Sequence, residues 1–339
     1  MTKLFHNPDV APESWYLVAR SREIAPGKVI CRELLNQKIA VYRGQDGRCD
    51  ALYARCPHLG ANLAHGDVVG NNLRCAFHHW TFNGGGECVR IPYKNSIPSF
   101  ARVFSYPVEE KYGAAWIFNG PRPLFSLPTF SEWREEELLW VFFKPRVLSC
   151  HPHLLACNGL DVQHFKTVHE LDFVDDPVWD EPSPFSVRLR LKIRLGGRSF
   201  FERAVRLFSG ETVEASFTTL GGNLAMIEGS LGRFPLLVLF THRPLSGGRS
   251  ASQTILFAPK RHGLACFLQI NRALLAIASL VMGHILVRDR KLLEEVDFRA
   301  NLVESDAPLG AFIRQINKME VFDAGSWERV SACRREEAL

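Results

Sequence analysis

The 339-residue chain reads as an α+β protein in two parts: an all-β domain over residues 1–125, then a domain over 126–339 built on an antiparallel sheet with flanking helices. Three observations carry this reading. Short apolar runs broken by glycine fill the first third. A proline-rich stretch, NGPRPLFSLPTF at 119–130, then interrupts them. Beyond it come five strand-like runs, followed by two stretches, 264–299 and 308–321, that read as helices.

The elements follow in order. KIAVYRGQDGRCDALYA is two apolar runs joined by Gly44, Asp46 and Gly47, a hairpin signature, and FNGGGECVRIPY adds a second glycine-rich turn. CNGLDVQHFKTVHEL, after the proline-rich boundary, reads as a helix. In VRLRLKIRL, Val187, Leu189, Leu191, Ile193 and Leu195 alternate with Arg188, Arg190, Lys192 and Arg194, which predicts one buried strand face and one cationic, solvated face. EASFTTL, LAMIEGSL, LLVLFTH and SQTILFA continue the sheet.

Composition narrows the function classes. A net charge of +5, from 41 basic and 36 acidic residues without blocks of one sign, gives no nucleic-acid footprint. The N-terminus MTKLFHNPDVAPESWY lacks the apolar core of a signal peptide, so a cytoplasmic location and reduced thiols are expected for the nine cysteines. The most apolar run, 273–287, is fifteen residues with His284 inside it. It is shorter than the ~20 needed to span a bilayer. It reads as a buried helix roofing a pocket, with membrane-surface contact as the lesser reading.

RCPHLGANLAHGDVVGNNLRCAFHHW, residues 55–80, carries the chemistry. Cys56 and His58 form a C-x-H pair, Cys75 and His78 a C-x-x-H pair, and sixteen residues separate His58 from Cys75. Two thiolates and two imidazoles would suit zinc. Zinc fingers, however, usually pair Cys with Cys and His with His, whereas each short motif here mixes them. That mixture suits a [2Fe-2S] cluster to which each loop gives one cysteine for one iron and one histidine for the other. His79 is expected to point away from the metal, and His65 to be a loop residue. Cys150 to His153, CHPH, imitates the second pair without a partner motif.

The stretch resembles the Rieske motif, with Pro57, Gly60, Trp80 and Gly86 also as that family has them. Downstream, Asn158, Asp161, His164 and His169 form N-x-x-D-x-x-H-x-x-x-x-H, which resembles the mononuclear iron motif of Rieske non-heme iron oxygenases. Two imidazoles and one carboxylate on one face of Fe(II) leave open positions for dioxygen and substrate. His164 and His169 are five residues apart, about 140° on a straight helix, so both reach one iron only if the helix bulges or ends between them. The third ligand is expected from VRDRKLLEEVDFRAN, where Asp289 is preferred and Glu294, Glu295 and Asp297 remain alternatives.

The resemblance, to the α-only homotrimeric group that includes dicamba and vanillate demethylases and 3-ketosteroid 9α-hydroxylase, implies the rest. The fold would be a Rieske [2Fe-2S] domain followed by a helix-grip catalytic domain. Cys56, His58, Cys75 and His78 would hold the cluster, and His164, His169 and Asp289 the mononuclear Fe(II). Asn158 and Asp161 would be catalytic, Asp161 bridging His164 to a cluster histidine of a neighbouring subunit in a homotrimer. Electrons from NAD(P)H would arrive through a reductase or ferredoxin, and O2 would hydroxylate or demethylate a small apolar substrate. The sequence holds no nicotinamide or flavin motif of its own. The rival readings are desaturation of a lipid or sterol-like substrate, an electron-transfer protein without its own oxygenase activity, and a zinc-stabilised ligand-binding protein. Val162, Phe165, Met226, Phe240 and His242 are candidate pocket residues, each equally readable as core.

Overall fold

The computed structural model describes residues 4–93, 96–194, 212–231, 234–260, 275–276, 279, 282–283 and 286–326. The chain forms two compact units. One comprises Asp9–Ser126, Arg243–Gly247 and the described residues from Glu320 on; the other comprises the described residues up to Pro8, Leu127–His242 and Gly248–Met319. The strap at Arg243–Gly247 and the chain beyond Glu320 thus belong with the first unit, although both lie in the sequence span expected for the second domain.

The first unit consists of three small antiparallel sheets. The predicted hairpin is present: Gln37–Arg43 pairs with Cys49–Tyr53, and Gly47 at φ 84° makes the turn. Its side chains divide between two cores. Ile39, Val41 and Ala51 pack with Tyr16 and Ile117, while Ala40, Tyr42 and Leu52 pack with Cys56, Cys75, Trp80 and Phe82. That division follows from the strand period of two, because alternate side chains leave opposite faces.

The second unit is built on a nine-stranded sheet. Its main path runs Leu138–Phe142, Arg249–Pro259, Phe234–Leu245, Leu224–Leu231, Thr212–Leu220, Ser186–Arg194 and Asp172–Phe173. The alternation in VRLRLKIRL is realised: Val187, Leu189, Leu191 and Ile193 are buried. The opposite face carries ion pairs rather than being merely solvated, since Asp180 accepts from Arg188 at 2.6 and 3.0 Å and from Arg190 at 3.0 Å. Leu195 lies outside the described residues.

The apolar run 273–287 also falls largely outside them. Its described members Leu275 and Met282 pack on the sheet face formed by Ala215, Ile227, Val238 and Leu256, as expected of a covering segment. Among the described residues no helix is long and apolar enough to cross a membrane. Two helical expectations are trimmed. Residues 286–293 are helical but 296–299 are not, and the last helix spans Ala307–Ile316 rather than reaching 321.

CNGLDVQHFKTVHEL, residues 157–171, is not one helix: it starts at the last residue of α1 (Pro152–Cys157), passes through a turn at Asn158–Leu160 and carries one short helix, α2 (Val162–Thr167). Asp161 causes the break. Its backbone is extended, at φ −86° and ψ 100°, and its Oδ1 accepts from the His164 amide at 2.9 Å, capping α2. Gly159 lets the turn lie against the sheet, because a Cβ there would meet the Phe217 ring at 2.8 Å.

Candidate metal centres

The two Cys/His loops have the same backbone plan. In each, the first cysteine accepts from the amide four residues on: Gly60 N–H donates to the Cys56 carbonyl at 2.8 Å, and His79 N–H to the Cys75 carbonyl at 3.0 Å. In each, the cysteine's own amide closes the loop, onto Ala61 O at 2.9 Å and Trp80 O at 2.8 Å. Closing so tight a turn takes a left-handed residue. Gly60 supplies it at φ 74° and His79 at φ 58°. His79 therefore occupies the position equivalent to Gly60, a role visible in the sequence only as the residue four places after each cysteine. The expected extended geometry at His79 is replaced by this turn.

The loops bring like donors together. The Cys56 and Cys75 thiols face each other within hydrogen-bonding range, and both residues are buried. The His58 and His78 rings lie 4.5 Å apart and both residues are exposed. The His58 ring stacks on Trp80 at 4.7 Å, nearly parallel at 6°, which fixes its orientation. Burial, with the neighbouring Cys75 and Cys88 thiols, pushes the Cys56 thiol up to about 12, despite a hydrogen bond from the His58 backbone. A buried thiol of this kind becomes a thiolate readily once a cation holds it. The arrangement, a thiol pair inside and an imidazole pair at the surface, fits a two-iron cluster better than a single ion. Gly86 closes the adjoining turn at φ 79°, and a Cβ there would fall 2.1 Å from the Val103 carbonyl oxygen.

The second centre is assembled from separate segments. The α2 helix presents His164 and ends at Thr167; Glu170 at φ 53° turns the chain back. This break lets His169 face His164, with ring centroids 4.7 Å apart. From the 286–293 helix Asp289, 9% exposed, reaches between them: its Oδ1 is 3.0 Å from His169 Nε2 and 3.4 Å from His164 Nε2. One donor atom from each of the three residues lies within 4.8 Å of the others, a group that could hold a metal ion. Asp289 Oδ1 is sealed from solvent without a well-formed hydrogen bond. An orphaned anionic oxygen facing two imidazoles suits a divalent cation. Burial works to raise the Asp289 carboxyl, and the His164 and His169 side chains outweigh it, holding it down at about 2.

The other three carboxylates are turned to other tasks. Glu294 accepts from the Ser149 amide at 3.3 Å, Asp297 pairs with Arg299 at 3.2 Å, and Glu295 is exposed. Asn158 joins the site: its Nδ2 donates to Asp289 Oδ2 at 3.3 Å and lies 3.3 Å from His164 Nε2. Asp161 stands next to the triad as the cap of α2, and within the described chain its second carboxylate oxygen has no hydrogen-bond partner. The CHPH residues serve packing: Cys150, His151 and His153 are buried, and burial lowers the His151 imidazole to about 4 and holds that of His153 well below its ordinary value.

The apolar surface next to the triad is one face of the large sheet. Phe165 of α2 packs on Phe217 at 4.7 Å, and Phe217 aligns across the strands with Ile227 and Val238. Phe240 shares that face, and so does His242 two residues on. Met226 does not, because it pairs with Leu239 on the opposite face. A separate cleft of about 900 Å³ beside α2 has a largely charged lining, including Lys166, Glu170, Asp172, Asp175, Asp176 and Arg194, and is a poor match for an apolar molecule.

Residues 14–101 match the Rieske [2Fe-2S] domain family, so the first unit carries a Rieske domain. Over 95% of this chain and 98% of the other, the structure resembles dicamba monooxygenase bound to dicamba, with a TM-score of 0.67 and 20% identity. A likeness also extends to NdmA of Pseudomonas putida CBB5 with caffeine, with a TM-score of 0.63 and 20% identity over 95% of this chain and 91% of that one. These establish the fold expected from the sequence, a Rieske domain followed by an antiparallel-sheet domain with helices. Among curated proteins, a Ciona intestinalis cholesterol 7-desaturase is 34% identical over 48% of this chain and 35% of its own length. A probable oxygenase component of a Rhodococcus rhodochrous 3-ketosteroid-9-alpha-monooxygenase is 31% identical over 48% of this chain and 42% of its own. The matched stretch thus spans about a third to two fifths of these curated relatives.

Proposed function

We propose that the protein is the terminal oxygenase component of a Rieske non-heme iron system, mono-oxygenating an apolar organic substrate by hydroxylation or oxidative demethylation. The observation that carries this reading is the second centre. A Rieske domain alone would suit electron transfer, but His164, His169 and Asp289 converge on one point beside an apolar sheet face. Cys56, His58, Cys75 and His78 would hold the cluster. His164, His169 and Asp289 would hold Fe(II), which when bound supplies the open positions where dioxygen is activated with electrons from the cluster.

The chain's own residues do the rest. Asn158 holds the Asp289 carboxylate by its second oxygen, fixing which oxygen faces the imidazoles. Asp161 anchors the His164 backbone through one oxygen and keeps the other for a group outside the described chain. A cluster histidine of a neighbouring subunit, in a homotrimer, would suit it. His58 and His78 are exposed, as electron exchange with a partner's centre requires. A separate NAD(P)H-dependent reductase or ferredoxin supplies the electrons. The domains are 1–125 for the cluster and 126–339 for the iron site, with the segments that cross over, up to Pro8, Arg243–Gly247 and from Glu320 on, each packing with the other unit, in a cytoplasmic protein. Desaturation is the second reading, supported by the relatives named cholesterol 7-desaturase.

The test is consumption of NADH and oxygen by the reconstituted protein with a surrogate reductase, offered a 3-ketosteroid, cholesterol, dicamba and caffeine. One of them should stimulate both, and label from ¹⁸O2 should appear in the product or in released formaldehyde. An unlabelled alkene product would move the reading to desaturation. Iron of about two per chain instead of about three, with no turnover, would move it to electron transfer.

A further inference from the structure

The helix that carries Asp289 is tied to α1 near both ends. At one end Asn158, directly after α1, donates to Asp289 Oδ2 at 3.3 Å. At the other the Ser149 amide, shortly before α1, donates to Glu294 Oε1 at 3.3 Å, and Glu294 directly follows the 286–293 helix. That second tie is one hydrogen bond at the surface, weak by itself.

Residues 5–7, which belong to the same compact unit as the triad, close that end. The Phe5 ring stacks on His153 of α1, with centroids 5.6 Å apart at 19°, and meets edge-on both Phe298 at 5.3 Å and Phe312 of the last helix at 6.1 Å. The His6 ring lies 5.1 Å from His151 and 5.8 Å from Phe298. The backbone is tied too: Phe5 N–H donates to Asn317 Oδ1 at 2.9 Å and His6 N–H to His153 Nδ1 at 3.0 Å. His151 caps α1, its Nδ1 accepting from the His153 amide at 3.2 Å, which leaves its proton on Nε2 to donate to the Asn7 carbonyl at 3.1 Å. His6 takes φ 59°, a conformation costly for a residue with a Cβ, and these contacts hold it there.

We infer that residues 5–7 are a clasp that positions Asp289 for the metal, with Phe5 as its positioning residue. They bridge the segment that leads into the iron-site histidines, at His151 and His153, to the segment that follows Asp289, at Phe298. With the clasp open, the 286–293 helix is left with the single surface bond at Glu294 and can hinge about the Asn158–Asp289 contact, so its carboxylate leaves the metal more readily. This inference deepens the oxygenase reading and rests on it only in that the triad holds a metal.

The experiment is loss of mononuclear iron from the anaerobically reconstituted protein to a colorimetric Fe(II) chelator at neutral pH, with cluster absorbance and melting temperature followed alongside. Phe5→Ala should release that iron about tenfold or more faster than wild type with the cluster spectrum unchanged, and Phe5→Tyr, which keeps the ring, should stay within about twofold of wild type. Leu239→Ala is the control for general loosening of the unit: this buried residue pairs with Met226 on the sheet face opposite Phe217, so its cavity should lower the melting temperature and leave iron loss within about twofold of wild type. Should Phe5→Ala fail to fold, Phe5→Leu provides the same comparison with a smaller acceleration, about threefold. Iron loss from the Phe5 variant within about twofold of wild type, an acceleration matched by Leu239→Ala, or no rescue by Phe5→Tyr would overturn the clasp. Wild type with about two irons per chain would overturn the clasp and the oxygenase reading together, whereas wild type that keeps about three and never oxygenates a substrate, with Phe5→Ala shedding the third faster, would sink the oxygenase reading and leave the clasp standing.

Discussion

The two metal centres are built in opposite ways. The cluster loops lie within 26 residues of one another, and their geometry is written into the backbone by paired hydrogen bonds and left-handed closures at Gly60 and His79. The triad joins His164 to Asp289 across 125 positions of sequence, and depends on a helix that stops at Thr167, a cap at Asp161 and a glycine pressed against Phe217. A site made by local backbone can be lost only through its own residues. A site made by packing can be lost from any of the elements that carry it, and the other centre need not notice.

That independence is the comparison's first test and the one with the largest effects. Cys75→Ser should remove the cluster outright, taking the red-brown colour and lowering iron from about three to about one per chain, because a hydroxyl is a poor substitute for a buried thiolate ligand. Asp289→Ala should do the converse: the cluster spectrum stays, iron falls by about one per chain, and turnover drops by more than about a hundredfold. Metal analysis and electron paramagnetic resonance of the reduced proteins separate the two. Loss of both centres in Asp289→Ala would show that the units do not stand independently.

The contrast also explains what could be read from the sequence. That Cys56, His58, Cys75 and His78 come together is legible because the turns that place them are as short as the motifs themselves. His164 and His169 were legible as a pair, together with the requirement that the helix bulge or end between them; the break at Thr167 and Glu170 meets that requirement. The second break, at Asp161, is not legible, since its expected part as a bridge says nothing of the backbone, and the capping role shows only when its carboxylate is seen to accept from the His164 amide. Asp289 could only be preferred over Glu294, Glu295 and Asp297, because the choice depends on which turn of the 286–293 helix faces the histidines, a matter of packing across the unit. Met226 is indistinguishable from Phe240 and His242 as a pocket candidate by sequence, and only the strand register separates their faces.

A smaller effect sharpens the view of Asp161. Its two oxygens have different duties: one caps α2, and the other is unpaired within the described chain. Asparagine caps a helix about as well as aspartate, so Asp161→Asn should change stability by no more than about 0.5 kcal/mol and leave both metals in place. Turnover should nevertheless fall by tenfold or more, because the neutral amide cannot serve as an anionic bridge to a neighbouring cluster histidine. Asp161→Ala would lose the cap as well, costing about 1 kcal/mol in addition. Equal turnover in wild type and Asp161→Asn would mean that the residue is only a cap. Co-expressing Cys75→Ser with His169→Ala provides the complementary measurement: partial rescue in mixed oligomers would locate the electron route between chains, and a lack of rescue would locate it within one.

The smallest effect tests the loop symmetry itself. Gly60 and His79 close equivalent turns at positive φ, but only one of them is glycine. Holding a residue with a Cβ in the left-handed region costs about 1 kcal/mol relative to glycine, and the greater freedom of glycine in the unfolded chain offsets part of that gain. His79→Gly should therefore keep the cluster spectrum and shift stability by less than about 1 kcal/mol, with stabilisation the favoured sign. Gly86→Ala is the control from the same unit: it too sits at positive φ, but its Cβ would collide with the Val103 carbonyl oxygen, so the turn must move and stability should fall well beyond that range. If His79→Gly instead bleached the protein while keeping the fold, the imidazole of His79, rather than that of His78, would be the one the cluster uses, and the match between the two loops would be a backbone coincidence without bearing on ligation.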